Sequence, residues 1–246
     1  MAFYKAATTA AVALAVVLAL AHSLRAQSKP AGKSQKVDAG TFAIFVNGQR
    51  VATETFQIEQ GPTVNTVTSE FKMEQGDKAV QKMVLQITSN GDLRRYEWQE
   101  LSPAKAQISV EPGNDLLLEK INSESQKPTL QSFTLPPSTV VLDDYCFSQR
   151  EVLAWRYLAV ACGNKLDQCR PGKTQFGILV PRQRAALSAT LEYVGPEKVT
   201  IGGSESELNR IKLRVADDPE WTLYLDGHLK LVKITIPEEK TEVVRQ

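Results

Sequence analysis

Residues 41–58 read TFAIFVNGQRVATETFQI, and this stretch decides the fold class. Two runs rich in β-branched and aromatic residues flank Asn47-Gly48. Asn and Gly accept the positive φ of a type I′ turn, so the stretch reads as a β-hairpin. The same grammar recurs along the chain. A second hairpin is expected to turn at Asn90-Gly91, between strands over 81–88 and 93–99. A third is expected at Asp226-Gly227, between 222–225 and 229–236. Further strand candidates cover 64–73, 106–110, 116–121, 187–194, 199–201 and 208–215. Alternation of apolar and polar residues between turn signals predicts antiparallel sheet.

One helix is expected among these strands, over 148–162. Ser148-Gln149-Arg150-Glu151 has the form of a capping box, with Ser148 accepting from the Glu151 amide and Glu151 reaching back. Phe147 and Val152 stand where a hydrophobic staple would form. Val152, Leu153, Trp155, Tyr157, Leu158, Val160 and Ala161 make the helix apolar around much of its circumference, which predicts burial against a sheet. Gly163 is a natural stop. The architecture expected is mainly β: a single strongly curved antiparallel sheet, open barrel-like or sandwich-like, with one helix packed on its concave face.

The N-terminus gives an address. Lys5 is followed by an apolar run over 6–20 and by small residues up to Ala26. That is the layout of a secretory signal peptide over 1–26, with cleavage after Ser23 or Ala26. An uncleaved anchor is the rival reading, because the run nears the ~20 residues that span a bilayer. Residues 27–39 are polar and read as a flexible linker, leaving 40–246 as a single β-rich domain. The expected localisation is periplasmic or secreted. Removing residues 1–26 lowers Lys plus Arg from 29 to 27 against 28 acids, leaving a net charge near −1. A nearly neutral chain has no global pull toward nucleic acid. In an oxidising compartment Cys162 and Cys169 are the expected disulfide. Cys146 is then left over; a buried free thiol is the plainer reading, against pairing with Cys162 or a reactive thiol.

Residue counts argue against most catalytic chemistries. Once His22 leaves with the signal, His228 is the one histidine, and it follows a turn. Triads and zinc sites need more than that. The pairs Asp143-Asp144, Asp217-Asp218 and Glu238-Glu239 are adjacent in sequence, which shows no facing pair across a cleft, and each is expected in water. The clusters at Arg94-Arg95 and Arg182-Gln183-Arg184 are expected to cap strand ends. No catalytic residue, cofactor site or metal site is expected. The aromatics Tyr96, Trp98, Trp155, Tyr157 and Trp221 are candidates for lining an apolar ligand cavity between helix and sheet. The plainer alternative is that they fill an ordinary core.

These segments resemble a bacterial family of secreted and periplasmic domains of unknown function. The resemblance lies in Gly40-Thr41-Phe42 with Asn47-Gly48-Gln49, in the helix over 148–162, and in residues 221–227, 231–237 and 243–245. That family is distantly similar in shape to the periplasmic lipoprotein carriers of the outer-membrane localisation pathway. The resemblance implies a curved sheet around a central helix and transfers no catalytic residue. The leading expectation is a non-enzymatic envelope protein that holds a lipid or other apolar ligand in a groove between sheet and helix. A structural module docking an envelope protein is the second reading, and a hydrolase the third.

Overall fold

The computed structural model describes residues 33–246 except 75, 77, 125, 164, 170 and 171. The expected signal segment and the start of the expected linker lie outside the described residues. The rest of that linker enters the fold, because the first strand begins at Gln35.

Among the described residues, fifteen strands form one sheet. The first half is a meander: β1 (Gln35–Val46), β2 (Gln49–Gln60), β3 (Val64–Met73), β4 (Val80–Thr88), β5 (Leu93–Ser102), β6 (Ala106–Pro112), β7 (Leu117–Ser123) and β8 (Gln126–Phe133). Short β9 (Val140–Val141) precedes helix α1 (Phe147–Cys162). A second meander follows: β10 (Thr174–Val180), β11 (Ala185–Ile201), β12 (Ser204–Val215), β13 (Trp221–Leu225), β14 (Leu231–Ile236) and β15 (Thr241–Arg245). The halves join where β1 pairs antiparallel with β15, placing Ile44 opposite Val243. Neighbouring strands are antiparallel throughout except β9 with β10. The outer regions of the two halves also approach each other. Arg184, between β10 and β11, places Nη2 3.4 Å from Thr129 Oγ1 on β8. The result is a mainly β, barrel-like fold.

The turn chemistry accounts for much of this. Asn47 and Gly48 adopt φ of 51° and 76° between β1 and β2, which a β-branched pair would resist. The Asp226 turn is built differently. Its carboxylate accepts from His228 N–H and Lys230 N–H, and the positive φ falls on Leu229. The two runs over 187–194 and 199–201 form one long strand, β11, because the register shift at Gly195 lets the chain bend without breaking the pairing. Strands β8, β9, β10 and β15 are not among the sequence candidates; β8 (QKPTLQSF) is largely polar and lies at the sheet edge.

Helix α1 lies inside the curve. Leu153, Ala154, Tyr157, Leu158 and Ala161 are buried in one cluster with residues from both meanders, such as Phe42, Tyr96, Leu191 and Ile234. Val160 is exposed, so the helix is less uniformly covered than its composition predicts. Gly163 ends it in the left-handed conformation and donates to Leu158 O. Cys162 and Cys169 form a disulfide just beyond, and Cys146 is a free, buried thiol.

Candidate functional site

The first turn of α1 is its most polar part, yet Ser148, Gln149, Arg150 and Glu151 are all buried. The expected capping box does not form. The N-cap position is Cys146, with no side-chain cap from the local sequence. The cap comes from β2. Glu54 is fully buried, and its carboxylate accepts from Phe147 N–H at 2.7 Å, from Ser148 N–H at 3.2 Å and from Ser148 Oγ–H at 2.7 Å. The box is lost because the helix starts at Phe147, which places Ser148 inside the first turn instead of at the N-cap. Burial raises the Glu54 pKa, opposed by bonds from Ser148, Ser69 and the helix amides.

Glu151, freed from the box, accepts from Leu231 N–H at 3.1 Å and stands 3.7 Å from Arg245. Burial and the neighbouring Asp38 push its pKa up to about 9. For Asp38 itself burial acts upward, but bonds to Arg245, Glu151 and Lys230 outweigh it and bring the pKa to about 2. Its carboxylate accepts from Lys230 Nζ and Arg245 Nη2, each at 2.7 Å. One carboxyl of this pair therefore keeps its proton while the other stays ionised.

Asp143 departs from the expectation of a solvated turn. It is fully buried, accepts from Tyr96 Oη–H at 2.5 Å and pairs with Arg182 at 3.1 Å. Arg182 does not simply cap a strand end. Its guanidinium lies over the rings of Trp98 and Tyr145, both at 5.3 Å. Glu119 on β7 is buried with no donor to either carboxylate oxygen, and burial raises its pKa to about 7. Of these groups, Glu54 and Asp143 bond directly to the first turn of the helix. Each buried polar partner lies in a different strand or loop, so sequence spacing gave no signal for them. Among the described residues, no group of three or more His, Cys, Asp or Glu side chains is placed to hold a metal ion.

The flank of the helix beside its packed face borders open space. A cavity of about 420 Å³ lies among Val37, Ile58, Val67, Val152, Trp155 and Leu229. A second, of about 580 Å³, runs along the face formed by Gln149, Val152, Leu153, Arg156, Ala159 and Val160. Both cavities are lined by Gln60, Asn65, Ile87, Val152 and Trp155. Trp155 is half-buried, and its indole N–H donates to Leu229 O at 2.6 Å, which fixes the ring in this shared wall. His228 lies at the rim, exposed on its turn.

The five aromatics singled out from the sequence are not brought together. Trp155 lines the two cavities beside the helix. Trp221 lines a separate cavity of about 670 Å³ at the helix N-terminus, with Phe71, Tyr145 and Phe147. Tyr96 and Tyr157 are fully buried and Trp98 nearly so, and none of the three lines the cavities beside the helix. Tyr157 Oη accepts from Tyr193 N–H at 2.7 Å, and Trp98 Nε1 points to Gln81 Oε1 at 3.4 Å. Burial close to hydrogen-bond partners places these three in the packed core.

The fold defines a class, a barrel-like, mainly antiparallel sheet curved around one helix. It is similar to the crystal structure of a β-barrel-like protein of the domain of unknown function DUF1849 from Brucella abortus. The TM-score is 0.54 at 9% sequence identity, over 85% of this chain and 94% of that one. No family model matches the chain, and no curated protein matches it.

Proposed function

We propose that this protein is a non-enzymatic, exported envelope protein that binds a lipid or other apolar ligand between its sheet and its helix. The observation behind this reading is the pair of cavities that share Trp155 and Val152 as a common wall. Ligand sites are concave and largely apolar, of roughly 300–1,000 Å³, with a few placed polar groups. Export is supported by the layout of residues 1–26, and the Cys162–Cys169 disulfide suits an oxidising compartment.

The test is binding of the neutral fluorophore N-phenyl-1-naphthylamine to the purified protein, read as emission enhancement and repeated with Trp155→Ala. Saturable enhancement weakened in the variant supports the reading. No enhancement with the folded native protein overturns it. A docking module is the second reading, favoured by edge strand β8, where Leu130 is 69% exposed.

A further inference from the structure

We infer that the larger cavity beside α1 selects ligands with an anionic oxygen head group on an acyl chain, an inference that rests on the apolar-ligand reading above. Two side chains on one helix face define the head-group chemistry. Gln149 is 1% exposed, and its amide orientation is fixed because Oε1 accepts from Asp143 N–H at 2.6 Å. Gln149 lines the cavity, and its buried Nε2 has no hydrogen-bond partner. A buried donor left unpaired is destabilising, so this atom calls for an acceptor oxygen. Flipping the amide would strand Asp143 N–H instead.

Arg156 lies two turns further along the same face. It is the one charged side chain among the described residues that line this cavity. Its Nη1 donates to Gly91 O at 3.0 Å, and its guanidinium lies 5.9 Å from the centre of the Phe176 ring. Gly91 permits this approach, since a Cβ there would come within 3.3 Å of the guanidinium. No carboxylate lines the cavity itself, and the nearby Asp92 balances Arg156 only from outside it, so an anion entering meets a partly balanced guanidinium beside the Gln149 amide. The walls between them are apolar: Leu85, Ile87, Val152, Leu153 and Trp155. Carboxylate and phosphate heads share the required chemistry, and the probes separate them.

Laurate, dodecyl phosphate and dodecanol are titrated against the full chain by displacement of N-phenyl-1-naphthylamine. The same titrations are run on Arg156→Met, which keeps the stem over Phe176, and on Gln149→Glu, which keeps the acceptor for Asp143 N–H. At least one anion should bind roughly tenfold more tightly than dodecanol, a step of about 1.4 kcal/mol, and the tighter anion names the head group. That preference should collapse in both variants, with folding checked by urea midpoint. Equal binding of anions and dodecanol by the native chain overturns the head-group inference and leaves the apolar reading standing. Binding of none of them overturns both. An undiminished preference in either folded variant also overturns the inference. The native comparison needs no variant, so a variant that fails to fold does not rescue the inference.

Discussion

Glu54 on β2 caps the helix that starts at Phe147, 94 positions away from Ser148, whose hydroxyl it accepts at 2.7 Å. This carboxylate satisfies helix amides that would otherwise be orphaned inside the barrel. It ties the N-terminal meander to the helix on which the second meander packs.

Replacing Glu54 should therefore be costly. Glu54→Ala strands Phe147 N–H, Ser148 N–H and the Ser148 hydroxyl, at about 1–3 kcal/mol for each buried group left unpaired. Ser148→Ala alone should cost about 1–2 kcal/mol. In the double variant the two losses should fall short of additivity by at least ~1 kcal/mol. Urea midpoints of the four proteins give the coupling; strict additivity would mean that the cap does not stabilise the fold.

Stability should fall toward alkaline pH through Glu119. Its folded pKa of about 7 lies above the 4.5 of an unperturbed glutamate, so the native chain holds a proton that the unfolded chain releases. The benefit of that neutral form is complete below pH 4.5 and is lost as pH rises through 7. Glu119→Gln should flatten this limb and gain up to about 3 kcal/mol relative to wild type by pH 8. Asp38 has the opposite sign. Its pKa falls from 3.8 to about 2, so its contribution is present above pH 3.8 and fades as pH drops through 2. Urea midpoints of wild type and Glu119→Gln between pH 4 and 8 check the first limb.

Trp155→Phe should cost about 1 kcal/mol, since it loses the bond to Leu229 O while keeping most of the ring area. Trp155→Ala should cost less than the ~3–5 kcal/mol of a fully buried aromatic, because one side of this ring faces open cavity. It should also weaken binding of the neutral probe. A loss of stability as large as for a core aromatic, with probe binding unchanged, would place Trp155 in the core.

Cys146 should resist thiol reagents until the barrel opens. It is buried, and burial raises its pKa well above the usual thiol value, with Glu54 and Asp143 adding to the rise. Reaction with Ellman's reagent should follow the unfolding rate across a urea series. Fast labelling of the native protein would contradict the closed core.

The strand grammar, the site of the helix and the disulfide were legible in local sequence. Asn47-Gly48, Gly163 and the close spacing of Cys162 and Cys169 act over a few residues, where backbone preference and loop length settle the outcome. Strand β8 escaped because an edge strand need not alternate strongly. The tertiary structure alone decided which polar groups went inside. Ser148 and Glu151 have the local pattern of a capping box, but the helix starts at Phe147 and their bonds go to distant partners, Glu54 for one and Leu231 with Arg245 for the other. Asp143 looked like turn chemistry until Tyr96 and Arg182 were brought to it across the barrel. Trp155 and Tyr157 are two positions apart on one helix, yet Trp155 lines open space and Tyr157 fills the core. Which face of a helix meets packed side chains and which meets a cavity depends on how far the sheet curls, and that is fixed by contacts distant in sequence.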